Sequence, residues 1–162
     1  MNSAGVDWDG VGTVLQAFAP AVSWVLVILG WWIVSSGHNR REDRKEVRAS
    51  LTQIATLIRA IEENAHRYLV SSATSEESRT LSIAIKRDLK RLSGDLQRFE
   101  LSCKGTQYRF ELIGFRQAIT GGEFDSKRRA ACAQDSVKLA DVSSAADALV
   151  AVLEVAFASR FR

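Results

Sequence analysis

The sequence has little proline, cysteine and histidine, and each shortage excludes a class of structure or site. Its single proline is Pro20, so no later residue forces a helix to break. Two cysteines, Cys103 and Cys132, are too few for a disulfide framework and fit no metal-ligand spacing, and we expect both to be reduced. The only histidines are His38 and His66. The sequence therefore predicts neither a metal site nor a cofactor.

Positive charge is absent from residues 1–37, which contain only two acidic residues, Asp7 and Asp9. No ionisable residue occurs from Gly10 to Gly37. A helix over the most apolar part of this stretch would be about 36 Å long, enough to cross a hydrocarbon layer of about 30 Å. A cleaved signal peptide would begin with basic residues and have a shorter apolar run. We therefore predict a short extracytoplasmic N-terminus at residues 1–10 and a transmembrane helix at residues 11–36.

The charge pattern after the apolar stretch predicts its orientation in the membrane. Eight of the nine positions from Arg40 to Arg48 are charged, and five of these are basic. The positive-inside rule then puts the N-terminus outside the cell and residues 37–162 in the cytoplasm. Trp31 and Trp32 would lie at the cytoplasmic interface. The predicted location is the inner (cytoplasmic) membrane, crossed once, with the lipid bilayer as the first partner.

One face of the predicted span is less apolar than the rest. Small and weakly polar residues on a helix face let neighbouring helices approach closely in lipid. The pattern favours a subunit interface in a homo-oligomer, or a pore lining. A single anchor that tolerates these residues without using them is the alternative. The residues of this face are Gln16, Pro20, Ser23, Val27 and Gly30.

The cytoplasmic part reads as an all-α, up-and-down bundle of about four helices, because apolar residues recur at helical spacing and no alternating strand pattern appears. Its first helix should run from about 39 to 70, with a heptad stripe that packs against another helix, either within the domain or in a neighbouring subunit. That stripe consists of Val47, Leu51, Ile54, Ile58, Ile61, Ala65 and Tyr68.

Local signals predict the ends of the later helices. Thr74 and Glu77 form a capping box for the second helix, and "TGG" at 120–122 ends the third. Asp125 or Ser126 could cap the last helix. The apolar stretch 145–158 is short for a membrane span and contains two acidic residues, so it favours a core or oligomer-facing helix. The predicted inward residues of these helices are Leu81, Ile85, Leu89, Leu92, Leu96, Phe99, Tyr108, Leu112, Phe115, Ile119, Leu139, Val142, Ala146, Leu149, Leu153 and Ala156.

Catalytic motifs are few. "TGGEF" lacks the lysine and spacing of a phosphate-binding loop, and no serine has the context of a nucleophile elbow. In "RAIEENAH", however, Arg59 and His66 lie on one helix face, two turns apart. This pair resembles the R-x4-6-H signature of HEPN domains, helical bundles that often act as ribonucleases. The resemblance implies that Arg59 would hold phosphate and His66 would act as an acid or base, although Ala60 replaces the usual polar residue after the arginine. A solvated face or an ion pair with Glu62 or Glu63 is the alternative explanation.

The whole architecture resembles the small membrane accessory proteins of type VI-B CRISPR systems. Such a family implies an oligomeric membrane pore in antiviral defence, with an RNA-guided nuclease or another protein as a partner. We therefore predict a non-enzymatic membrane effector. The alternatives are a membrane-tethered ribonuclease or RNA-binding protein, built on Arg59, His66 and the basic face from Lys86 to Arg98, and an anchored adapter without pore activity.

Overall fold

The described residues of the computed structural model are helical and contain no strand. The structure describes the backbone of residues 8–103 and 107–162, the side chains of Trp24, Val27 and Trp31, and side chains from residue 41 onward except 101–102 and 104–106. Residues 8–103 and 107–162 form four helices: α1 (Trp8–Val70), α2 (Glu76–Ser102), α3 (Arg109–Thr120) and α4 (Val137–Arg160). The all-α fold class and the helix count predicted for the bundle are thereby confirmed.

The chain divides into two units, Met1–Asp43 and Arg44–Arg162. In the first unit the backbone is helical from Trp8, and Trp24, Val27 and Trp31 are exposed. Their spacing of three and four residues puts them on one face of the helix. Most side chains of the predicted span at residues 11–36 lie outside the described residues, and so do Gln16, Pro20, Ser23 and Gly30.

The second unit has its own hydrophobic core, and the heptad stripe of α1 forms one wall of it. All seven predicted stripe residues, from Val47 to Tyr68, are at most 4% exposed. Residues spaced four and three apart fall on one side of a helix, so this side is entirely apolar. The stripe packs inside its own bundle.

Contacts between the helices define an up-and-down arrangement. Arg48 of α1 forms an ion pair with Glu154 of α4 at 2.6 Å, so the start of this unit lies beside the end of α4. At the same end, Tyr108 before α3 donates a hydrogen bond to Glu100 near the end of α2. At the opposite end, the amide of Cys132 donates to the Leu69 carbonyl near the end of α1.

The inward residues predicted for the later helices are confirmed with two exceptions. Leu112 and Ala156 are half-buried, and Phe157 is buried in place of the latter. The N-cap of α2 is Ser75, whose hydroxyl accepts from the Ser78 amide at 3.0 Å, so the capping-box assignment to Thr74 is one residue early. Among the described residues, Cys103 and Cys132 are not joined in a disulfide.

The predicted start of α4 at Asp125 or Ser126 is wrong. Residues 121–136 form a loop, and α4 begins after Ser136. Asp125 has a φ of 67°, in the left-handed region, which does not suit the first turn of a helix. The loop instead folds over the end of α1 and the start of α2, where Asp125 contacts Tyr68 and Arg129 contacts Leu69 and Ser78.

Among the described residues, α4 is a helix long and apolar enough to cross a membrane, judged by length and composition. Its 24 residues exceed the short stretch 145–158 that the sequence pattern marked as apolar. Core helices of soluble bundles meet the same criterion. Six residues of α4 point into the core of the bundle: Leu139, Val142, Ala146, Leu149, Leu153 and Phe157.

Candidate functional site

The two residues of the HEPN-like pair, Arg59 and His66, lie on the side of α1 that meets α4. There they join one polar network with three further side chains: Glu62 of α1, and Ser143 and Asp147 of α4. The helices are antiparallel, so the lower-numbered residue of the α1 pair meets the higher-numbered residue of α4. The structure therefore brings the predicted pair together with partners that the sequence pattern did not identify.

Ser143 is the centre of the network. Its hydroxyl donates to Glu62 Oε1 at 2.6 Å, and its oxygen lies 3.2 Å from His66 Nε2. A hydroxyl has one proton, and here the carboxylate receives it. The Ser143–His66 contact is then a hydrogen bond donated by Nε2, which fixes the tautomer of a neutral His66 ring as the Nε2–H form.

This order of groups differs from that of a serine–histidine–acid triad. In a triad the histidine accepts the serine proton and the acid orients the histidine. Here the carboxylate of Glu62 receives the proton of Ser143, and His66 lies on the far side of the hydroxyl. His66 is therefore not positioned as the base that would activate Ser143. The arrangement links two helices.

Arg59 is held by acidic side chains on both helices. It donates to Glu62 Oε2 at 2.8 Å and to Asp147 Oδ1 at 2.5 Å. The hydrogen bonds to Glu62 and then to Asp147 raise the pKa of the Arg59 guanidinium above its usual value. A phosphate group would have to compete with these two carboxylates for the same N–H groups. The structural alternative for Arg59, an ion pair with Glu62, is therefore present in the structure.

The basic face of α2 is largely paired within the bundle. Lys86 forms an ion pair with Asp125, and Arg91 and Arg98 both contact Asp95. Exposed pairs of this kind are weak, and nucleic acid could displace them. Even so, the face is less positive than its count of basic residues indicates.

Arg129 in the loop before α4 is a buried cation that the sequence pattern did not single out. Its guanidinium donates to the carbonyl oxygens of Leu69 and Ser71 at 2.9 Å each, and to the Ser78 hydroxyl at 3.2 Å. It also lies 4.2 Å from the centre of the Tyr68 ring. The carbonyl ends of a helix carry partial negative charge, so they stabilise a cation here. Arg129 thus fastens the loop to the end of α1.

The outward face of α4, another feature that the sequence pattern did not identify, is apolar and small. Its members are exposed and recur at spacings of four and three residues. They lie on the side of the helix opposite the buried stripe. Small side chains on a helix surface permit close approach of another helix. This face consists of Ser144, Ala148, Ala151, Val155 and Ala158.

A groove of about 770 Å³ lies between α1 and α2. Small polar residues of α1, such as Thr52 and Thr56, line one side, and Arg91 and Arg98 of α2 line the other. In the part of the chain that the structure describes, no group of three or more His, Cys, Asp or Glu side chains could hold a metal ion.

Comparisons with models of protein families, with curated proteins and with solved structures find no match to this chain.

Proposed function

We propose that this protein is a non-enzymatic effector of the inner membrane, anchored by one N-terminal helix, which self-associates and perturbs or perforates the bilayer. The observation that carries the proposal is the stretch without charge from Gly10 to Gly37, followed at once by the charged positions 40–48. A helix that is apolar on every side suits hydrocarbon rather than water. The basic residues that follow favour a cytoplasmic bundle.

Extraction of membranes with alkaline carbonate tests the anchor. The full chain should stay in the membrane fraction, and Val25→Arg with Ile28→Arg should release it, since each arginine costs about 2.5–3.5 kcal/mol near the centre of a span. The matched control is Ala148→Arg with Val155→Arg in α4, which should leave the chain in the membrane. Release by the α4 pair alone would identify α4 as the span and overturn the proposal.

Self-association is proposed to use the outward face of α4. The buried stripe of α1, from Val47 to Tyr68, is occupied within its own bundle and has no surface left for a neighbour. The α4 face is exposed, its five residues are uncharged, and they follow the spacing of a helix–helix contact. A second copy of this chain is the proposed occupant, because its own α4 supplies an equally small surface.

The membrane helices of such an assembly would bring Gln16 and Ser23 toward one another. An ion-leakage assay with reconstituted vesicles tests this step, with Gln16→Leu and Ser23→Leu as the variants and Val14→Leu as the control. The two polar-to-leucine variants should reduce leakage and the control should not. Leakage that is equal in all of them would refute a polar pore face. An antiviral role beside an RNA-guided nuclease, as in the type VI-B accessory proteins, belongs to this proposal.

A membrane-tethered ribonuclease is the second candidate, and the observation that favours it is the shared network of Arg59, His66 and Ser143. Purified protein should then degrade RNA, and His66→Ala should abolish the activity while His38→Ala leaves it unchanged. RNA that stays intact with the wild-type protein would remove this candidate. The network order described above favours a structural role, so we rank it below the membrane effector.

A further inference from the structure

At one end of the second unit, the point where α1 enters the unit lies with the end of α2, the start of α3 and the end of α4. The Arg48–Glu154 ion pair and the Tyr108–Glu100 hydrogen bond join the start of this unit to the end of α4, and the end of α2 to the start of α3. Residues near the start of the unit and near the end of α2 also line the same groove. We call this the entry end, because the chain enters the unit here at Arg44.

Several cations at the entry end form no ion pair with another residue that the structure describes. Arg44, Lys45 and Arg162 are exposed, and among the described residues none of them forms an ion pair. Arg109 is also exposed, with Glu100 at a distance of 3.5 Å as its ionic partner. Cations that form no close ion pair remain available to an anionic surface, although the carboxylates of Asp43 and Glu46 lie next to Arg44 and Lys45 in the sequence.

An aromatic side chain is exposed next to Arg109, at the start of α3. Phe110 in the first turn of α3 is 79% exposed, and Ile113, three residues later on the same side of the helix, is 55% exposed. Moving an aromatic ring or a branched aliphatic chain out of water lowers its free energy. Phe110 and Ile113 are not covered by the bundle. Exposed apolar side chains at the same end of a bundle as basic residues are typical of a surface that contacts the interface of a bilayer.

We infer that the entry end is a docking surface for anionic phospholipid headgroups, with Phe110 inserted between them. The inference rests on the proposed membrane anchor, since only six residues, or seven Cα–Cα steps, separate Gly37 from Arg44. Even when fully extended they span about 25 Å, so an anchored chain keeps this end close to the headgroups. Charge complementarity and the length of this connection favour a bilayer over other anionic partners such as RNA.

Vesicle flotation with residues 44–162 tests the inference apart from the anchor. This fragment retains every buried core residue from Val47 to Phe157, so it has what it needs to fold alone. At about 0.1 M salt it should float with vesicles that contain phosphatidylglycerol and stay below with pure phosphatidylcholine. Circular dichroism of each variant confirms that it is folded.

Two matched pairs of variants locate the surface. Arg44→Glu with Lys45→Glu should weaken partitioning about tenfold or more, whereas Lys127→Glu with Arg128→Glu, an equal change of charge at exposed residues of the opposite end, should weaken it much less. Phe110→Ser should also weaken it, and Val137→Ser, at a residue with 76% exposure, should not.

Three results would overturn the inference: no flotation with anionic vesicles, equal losses in both charge pairs, or tight binding of a soluble RNA without vesicle binding. Carbonate extraction tests the anchor independently of flotation. A full chain that resists carbonate extraction while the fragment fails to float would leave the anchor standing and remove the docking surface. A fragment that floats while the full chain is extracted would support the docking surface and remove the anchor.

Discussion

Ser143 of α4 donates a hydrogen bond of 2.6 Å to Glu62 of α1, and this contact joins the two helices at the middle of their polar network. Glu62 has only 14% of its side chain exposed, so water cannot replace the lost donor completely. We expect Ser143→Ala to lower the free energy of unfolding by about 1–2 kcal/mol. Urea denaturation of residues 44–162 measures the change.

The neighbouring Ser144 is the control for that experiment. It is exposed on the outward face of α4, so Ser144→Ala should change the free energy of unfolding by less than about 0.5 kcal/mol. Equal effects of the two substitutions would show that the network does not connect the helices.

Arg129 should be among the most sensitive polar positions. Arg129→Met removes the donors to the Leu69 and Ser71 carbonyls and leaves both oxygens near the end of α1 without those partners. Hydrogen bonds to charged groups contribute about 1.5–3 kcal/mol, so we expect a loss of roughly 3 kcal/mol in the free energy of unfolding. Arg128→Met, at an exposed neighbour, should have little effect. If both variants lost the same stability, the proposed contribution of the Arg129 hydrogen bonds would be disproved.

The stripe of α1 should behave as a core rather than as a subunit interface. Ile61 is fully buried, and Ile61→Ala should cost about 2–5 kcal/mol of unfolding free energy because it removes packed atoms and leaves a cavity. Ile83→Ala, at a residue with 62% exposure, is the matched control and should cost less than about 0.5 kcal/mol. A stable Ile61→Ala variant that only dissociates into monomers would instead identify the stripe as an interface.

Alkaline pH should weaken the bundle through Tyr108. Burial, and then the hydrogen bond to Glu100, raise the pKa of its phenol above the usual value of 10.0. The neutral phenol is thus favoured in the folded state, so its contribution to stability is complete below the unfolded pKa and is lost as pH rises through the folded pKa. Unfolding free energy measured from pH 8 to 12 should fall in that range.

Tyr108→Phe is the control for the alkaline effect. The variant has no phenol to ionise at this position, so its stability should depend less on pH above 10 than that of the wild-type fragment. Absorbance at 295 nm reports tyrosine ionisation directly, since residues 44–162 contain no tryptophan and only one other tyrosine, Tyr68. A wild-type phenol that titrates at its usual pKa would contradict the burial of Tyr108.

Much of the bundle could be predicted from the sequence, because each helix buries one continuous apolar stripe. The spacing of residues such as Ile54, Ile58 and Leu92 depends only on the 3.6-residue period of the helix, and all three are buried. The end of α3 at Thr120 was equally readable from the glycines that follow.

The start of α4 and the network were harder to predict, for a physical reason. Capping residues such as Asp125 favour a helix start locally, but the loop of 121–136 is fixed by distant contacts, above all those of Arg129 with the end of α1. The pairing of Arg59 with Asp147 likewise depends on the register between α1 and α4, which no local pattern encodes. The outward face of α4 could not be recognised from the sequence either. This helix is apolar on nearly every side, so the pattern does not distinguish its outward face from its buried one.

The mass of the full chain in detergent, measured by native mass spectrometry, tests assembly in the membrane most directly. We expect a closed assembly of several subunits, which Ala151→Glu on the outward face of α4 should reduce to monomers. Ala131→Glu, at an exposed loop residue, should leave the mass unchanged. A wild-type monomer or dimer would contradict the account and favour an anchored adapter, and an assembly that survives Ala151→Glu would contradict the proposed interface.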